Sequence, residues 1–238
     1  VALGFNAAGA LTTGGSNIAI GSNAMYEGAV TGSYNVAIGS SALRKLTDGP
    51  SNIAIGVNSL ESLTTGDRNI AVGMSSNTGY DTENDNLGIG HAALGGPVAG
   101  GEFNVAIGNY ALDALTSADY NVAIGYEAGS SLTTHNSDVL IGYQAGKALS
   151  TDDDGVIAIG YQAGLSLTTC SSSVFIGKNA GDGHDTEDHN MGIGRNALTG
   201  SVAGGEYNVG IGNYSLAALT SADNNVAIGY LAGTAITS

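Results

Sequence analysis

The chain has 238 residues, a formal charge of −15 from 21 acidic and six basic side chains, 39 glycines, two prolines, one cysteine and no tryptophan. Glycine at about a sixth of the residues excludes a mostly helical protein, because each interior glycine weakens a helix by roughly 1 kcal/mol, and the scarcity of proline excludes collagen. The 42% apolar content excludes a disordered chain, the acidic balance argues against nucleic acid as a partner, one cysteine excludes an internal disulfide framework, and no apolar run is long enough for membrane insertion.

One motif organises the chain from end to end. It reads NIAIGSNA at 17–24, NVAIGSSA at 35–42 and NIAIGVNS at 52–59. The anchoring glycines are Gly4, Gly21, Gly39, Gly56, Gly73, Gly90 and Gly108, then Gly125, Gly142, Gly160, Gly177, Gly194, Gly212 and Gly229, always 17 or 18 apart. Fourteen copies without a gap make 1–238 a single array. A larger duplication overlies it: residues 79–133 recur at 183–237, as in GYDTENDNLGIG at 79–90 and GHDTEDHNMGIG at 183–194.

Positions are counted here from the anchoring glycine. Positions −3 and −1 are aliphatic in every copy (Val1 and Leu3, Ile18 and Ile20, Val36 and Ile38, Ile53 and Ile55 and onward), so they share one face of a short strand. Position −2, on the other face, is Ala or Gly in all but two copies, where it is Leu140 and Phe175. Position −4 is Asn in ten of thirteen copies, which suits a ladder of side-chain amides. Position +3 is Ala or Ser throughout, as in Ala24, Ala42, Ser59 and Ala111, which predicts a tight turn there. A second apolar site at +7 (Leu46, Leu63, Leu115, Leu132, Leu149, Leu167, Leu219) is often followed by Thr and predicts a second strand. Pro50 and Pro97 fall in the connections after it, where no ladder donor is needed.

The expected fold is therefore all-β: a parallel β-solenoid, or β-roll, of about fourteen 17–18-residue coils, each with two short strands. Strand spacing makes this a rod of roughly 60–70 Å. The Val/Ile pairs are expected to form a thin continuous core, and the Ala/Gly face a flat outer strip. Three chains packing those strips give a homotrimer; the rival is a monomeric roll with its Ala strip turned inward.

NVAIG followed by a small residue resembles the head repeat of trimeric autotransporter adhesins, which implies a left-handed parallel β-roll in a trimer; the period here is longer. The fuller forms YNVAIGYEAGSSLTT at 120–134 and IAIGYQAG at 157–164 resemble repeats of phage tail fibres and related surface proteins. Both resemblances cover the whole chain. They imply an extracellular structural and adhesive rod, on a virion or a bacterial surface. Its partners are further copies of itself and a host-surface glycan or protein. Both ends fall within a repeat without a cap, which is the pattern of a piece of a longer fibre.

Chemistry is sparse. GIGHAA at 88–93 and GIGRNA at 192–197 match a dinucleotide fingerprint, but no crossover helix is predicted to follow. No oriented Ser, His and Asp set is present, so an enzyme is not expected. Asp81, Glu83 and Asp85, repeated as Asp185, Glu187 and Asp188, are candidate Ca²⁺ ligands or simply solvated turn residues; Asp152, Asp153 and Asp154 form a third acidic cluster. No other cofactor is expected. His184 and His189 flank the second cluster, His91 and His135 stand alone, and Cys170 is read as a surface or half-buried thiol. Tyr126, Tyr143 and Tyr161 occupy +1 in consecutive copies and Tyr230 repeats it, while Tyr110 and Tyr214 lie one place on. They read either as a stacked ladder or as a platform for sugar rings, with Glu127, Gln144 and Gln162 as polar partners. Thr at +8 (Thr12, Thr47, Thr64, Thr116, Thr133, Thr168, Thr220) raises a third possibility, a flat ice- or crystal-binding array, although Asp81, Ala99, Asp185 and Ala203 break the file.

Overall fold

A computed structural model describes residues 1–96, 101–150, 155–183, 185–200 and 205–236. Pro97, Ala99, Asp152, Asp153, Asp154, His184 and Ala203 lie outside the described residues. The chain forms two compact units, Val1–Tyr120 and Asn121–Ser238. The first carries strands β1 (Ala2–Leu3), β2 (Ile18–Ile20), β3 (Val36–Ile38), β4 (Ile53–Ile55), β5 (Ile70–Val72), β6 (Leu87–Ile89) and β7 (Val105–Ile107). The second carries β8 (Val122–Ile124), β9 (Val139–Ile141), β10 (Ile157–Ile159), β11 (Val174–Ile176), β12 (Met191–Ile193), β13 (Val209–Ile211) and β14 (Val226–Ile228). Within each unit every strand pairs in parallel with the next in sequence, in a strict register that sets like position on like, as Ile53 on Ile70 and Val174 on Met191. Each unit is thus a parallel β-solenoid. No helix among the described residues is long and apolar enough to cross a membrane.

The coil differs from expectation in two ways. The Leu-Thr segment forms no second strand; its one bridge among the described residues joins Leu11 to Val30. Coils are still tied there, because Thr47 N–H donates to the Thr64 carbonyl at 2.8 Å and Thr64 N–H to the Asp81 carbonyl at 2.7 Å. Turn geometry replaces the pleat, and +7 leucines such as Leu46, Leu63 and Leu132 are fully buried.

The second difference concerns the faces of the strand. The small residue at −2 points inward: Ala19, Ala37, Ala54, Ala71, Ala106, Ala123 and Ala158 are all 0% exposed. The Val and Ile at −3 and −1 point outward, with Ile38 at 36% and Ile55 at 38%. The expected Val/Ile core and outer Ala strip are therefore exchanged. The reason is the thinness of the coil. The wall opposite −2 carries +3 and +4, and +4 is filled by Leu43, Leu60, Leu94 or Leu112, all buried. No space remains for a branched side chain on the inner face of the strand.

The two exceptions show the same limit. Where −2 is large, +4 is glycine: Leu140 faces Gly146 and Phe175 faces Gly181, and a Cβ on Gly181 would overlap the Phe175 ring. In these two coils residues six apart exchange volume.

The anchoring glycine is required for a separate reason. Its φ lies between 127° and 142° in all coils, a region closed to L-residues. A Cβ on Gly56 would also collide with the carbonyl oxygen of Gly73 in the next coil. Stacking at strand spacing therefore demands glycine in every copy.

The −4 asparagines form a ladder inside each unit. The Asn35 Oδ1 accepts the Asn52 N–H at 2.8 Å, and the Asn52 Oδ1 accepts the Asn69 N–H at 2.8 Å. The other end of the amide spans the coil, with Asn52 Nδ2 donating to the Gly66 carbonyl at 2.8 Å. Asp138 and Ser173 keep the acceptor role, taking the Val156 N–H at 2.8 Å and the Asn190 N–H at 3.0 Å. Asp138 lacks the amide donor, and His135 Nδ1 lies 2.7 Å from its Oδ2 in a fully buried pair.

Phe175→Ala is expected to destabilise the protein by about 3–5 kcal/mol through the cavity it leaves. Gly181→Ala should also destabilise, but far less in the Phe175→Ala background, where only the cost of left-handed backbone, roughly 1–2 kcal/mol, remains. Equilibrium denaturation of the two single variants and the double variant checks this coupling.

Candidate interaction surface

The outward face of each unit is built by strand alternation. Positions −3 and −1 run as adjacent aliphatic files, and +1 continues them where it is apolar, as at Val57 and Met74, which are exposed. The opposite border is −5, held in left-handed backbone at Tyr34, Phe103 and Tyr120 with φ of 64°, 57° and 61°. Aromatic side chains there stand outward: Phe103 stacks on Tyr120 with centroids 5.1 Å apart, and His189 on Tyr207 at 4.8 Å. An aliphatic band edged with aromatics therefore lies open to solvent in each unit. The Val-Ala-Ile strand is apolar on both faces, the pattern of a parallel sheet covered on both sides. Among the described residues each unit covers only one.

The expected tyrosine ladder is present in the second unit. Tyr126 and Tyr143 stack at 5.5 Å with 12° between planes, and Tyr143 and Tyr161 at 5.2 Å with 9°. Their exposures are 41%, 42% and 47%. Lys178 caps the stack, its Nζ 5.3 Å from the Tyr161 centroid. Tyr230 stands outside the ladder at 71% exposed, edge-on to Tyr214 at 6.3 Å. Ring faces in the ladder are turned to one another, so edges and hydroxyls meet solvent. The polar neighbours bond among themselves: Gln144 Nε2 donates to Glu127 at 2.8 Å, Gln162 Nε2 to Gln144 Oε1 at 2.9 Å, and Lys147 Nζ lies 2.5 Å from Glu127. The hydrogen bonds from Lys147 and Gln144 hold the Glu127 carboxyl below its ordinary value of 4.5.

The acidic clusters are not gathered around a point. Glu83 is buried, and its Oε2 accepts the N–H groups of Asp81 and Thr82 at 2.6 and 2.9 Å. Glu187 is buried likewise and takes those of Asp185 and Thr186 at 3.1 and 3.3 Å. These two glutamates close turns from within, where the sequence suggests solvated residues. Asp81 accepts from the Thr64 hydroxyl at 2.5 Å, Asp85 takes the Arg68 fork at 2.6 and 2.7 Å, and Asp188 accepts the Ser171 N–H at 2.7 Å. Arg68 holds the Asp85 carboxyl below its ordinary range. Among the described residues no three carboxylate, imidazole or thiol groups are placed to hold one metal ion.

Cys170, His135 and the threonines also differ from expectation. Cys170 is fully buried, because its position in the coil faces inward beside Ser173; burial pushes its thiol up to about 12. His135 is not isolated but paired with Asp138. The Thr hydroxyls of the proposed flat array are committed to the next coil, with Thr47 donating to the Thr64 carbonyl at 2.8 Å and Thr168 to that of Asp185 at 2.9 Å.

Sequence reasoning missed the outward Val/Ile band and two cations beside it, Lys178 and Arg195. The signal for the band was the unbroken apolar run of each strand. Comparison of the chain with protein-family models, curated proteins and solved structures finds no match.

Cys170 is expected to resist a disulfide reagent at pH 8 in the folded state and react fully in denaturant; rapid native labelling would contradict its inward placement. Replacing Lys147 with Gln should raise the Glu127 titration midpoint toward 4.5, as read by carboxyl NMR. Because that carboxyl is depressed in the folded state, its contribution to stability is present above pH 4.5 and is lost as pH falls through the folded value.

Proposed function

We propose that the chain is a structural and adhesive rod segment of a surface fibre, of the kind found in viral tail fibres. In this reading three copies pack as a homotrimer with the Val/Ile bands turned to a common axis. One observation carries it: each unit leaves an aliphatic sheet face open along its coils while its inner face is closed by alanine. A contiguous exposed apolar face marks an interaction site in soluble proteins. The band differs from the strip suggested by sequence; the Ala/Gly face is spent inside the coil, so the Val/Ile face takes its place. Repeated backbone and asparagine ladders supply stiffness without a thick core.

The adhesive role falls to the outer turns and aromatic borders, which would meet a host-surface glycan or protein. Tyr126, Tyr143, Tyr161 and Tyr230 remain the candidates for sugar contact, through edges and hydroxyls. The head of a bacterial trimeric adhesin is the alternative with the same geometry. The longer period and the YNVAIGYEAGSSLTT form favour the tail-fibre reading. Neither catalysis nor a cofactor is assigned.

Native mass spectrometry or light scattering at micromolar concentration is expected to give three chain masses, and a single chain mass would overturn the assembly. The double variant Ile38→Lys/Ile55→Lys should shift the protein toward monomer. Its circular dichroism should be unchanged, because both side chains point out of the coil.

A further inference from the structure

The two borders of the Val/Ile band differ in chemistry. At −6, just beyond the −5 border, stand Asp67, Glu102 and Asp119 in the first unit and Asp188, Glu206 and Asp223 in the second. The opposite border, +1, has no acidic residue in any copy, although acids outnumber bases 21 to six. Instead it holds His91 and Asn109, then Lys178, Arg195, Asn213 and Tyr230, each able to donate a hydrogen bond.

Acid and donor share a coil in four cases. Around β12 the acidic border carries Asp188 and the donor border Arg195. Around β13 the pair is Glu206 and Asn213, around β14 it is Asp223 and Tyr230, and around β7 it is Glu102 and Asn109. Within one chain these partners are separated by the width of the strand and do not meet.

The two cations of the donor border are unclaimed by acids. Arg44 binds Glu27 and Glu61, Arg68 binds Asp85, and Lys147 binds Glu127. Lys178 and Arg195 are in no ion pair among the described residues. Both are exposed and held over tyrosine rings, Arg195 with its guanidinium carbon 5.7 Å from the Tyr214 centroid. The ring contact orients the charge without neutralising it.

We infer that the Arg195/Asn213 border of one copy docks on the acidic Asp188/Glu206 border of the next, with the copies parallel and in register. This rests on the proposed packing of the Val/Ile bands and adds what orients it. Unlike borders meet in a head-to-tail ring, which closes around an axis with every subunit equivalent. A two-fold contact between antiparallel copies would set like borders together and bring Asp188, Glu206 and Asp223 against acids of their own kind. Charge at the borders thus selects parallel closure, while the aliphatic band supplies the buried surface.

The test is a charge exchange in the full chain. Arg195→Glu is expected to raise the concentration of half-assembly roughly tenfold or more, and Asp188→Lys to do the same. Combining them should restore assembly toward wild type, with circular dichroism unchanged throughout. Asp188→Asn, which keeps an acceptor for the Ser171 N–H, should weaken assembly less than Asp188→Lys. If both single variants assemble as wild type while Ile38→Lys/Ile55→Lys does not, the band reading stands and the border pairing is overturned. If the double variant is no better than the singles, the pairing is likewise overturned. If the wild-type chain is a monomer, both fall.

Discussion

The structure depends on how closely one coil can lie on the next. Backbone approaches backbone at the anchoring glycine, where a Cβ on Gly56 would strike the Gly73 carbonyl oxygen. That contact holds only with φ near 135°, which glycine alone adopts without strain. From it follow strict parallel register, stacking of like positions, and the hydrogen-bonded files of Asn, Thr and backbone that run along each unit. A residue placed once in the repeat becomes a line of residues in the solenoid. Small chemical biases at one position are thereby multiplied into a surface.

Thinness is the second consequence. A 17–18-residue coil encloses one layer of side chains, shared between −2, +3, +4 and +7. Each coil divides the space in its own way, alanine or glycine against leucine in six, as at Ala54 and Leu60, and Phe175 against Gly181 in one. Three polar groups admitted to this space have defined partners: Glu83 and Glu187 cap their own turns, and His135 sits on Asp138 where the asparagine ladder loses an amide. Burial of Cys170 follows from the same geometry and removes it from surface chemistry.

An interior too narrow for Val and Ile forces them outward, and that links fold to function. The apolar area that would stabilise an ordinary globular core is displayed on one face. Its borders carry opposite chemical character. Association with further copies, as proposed above, would cover such a face. The tyrosine ladder belongs to one of these borders, so its packing and any contact with a partner compete for the same ring edges.

Much was legible in the residue order. Period, strand positions, the glycine requirement, the Asn ladder and the Tyr126–Tyr143–Tyr161 stack are properties of a repeated motif, and stacked copies must reproduce them. The inward small residue at +3 was legible too, since a tight turn excludes anything larger than Ala or Ser. Strand alternation established that Val/Ile and Ala occupy opposite faces, but it assigns neither face to the interior. Only the tertiary structure decided that, because the answer lies in the distance between two walls of the coil and in what +4 and +7 already fill. The same holds for Glu83, Glu187, His135 and Cys170. All four stand at −7 from their anchoring glycine and are buried there. Sequence by itself determined the coil and its repetition; three-dimensional packing determined which side of the coil is inside.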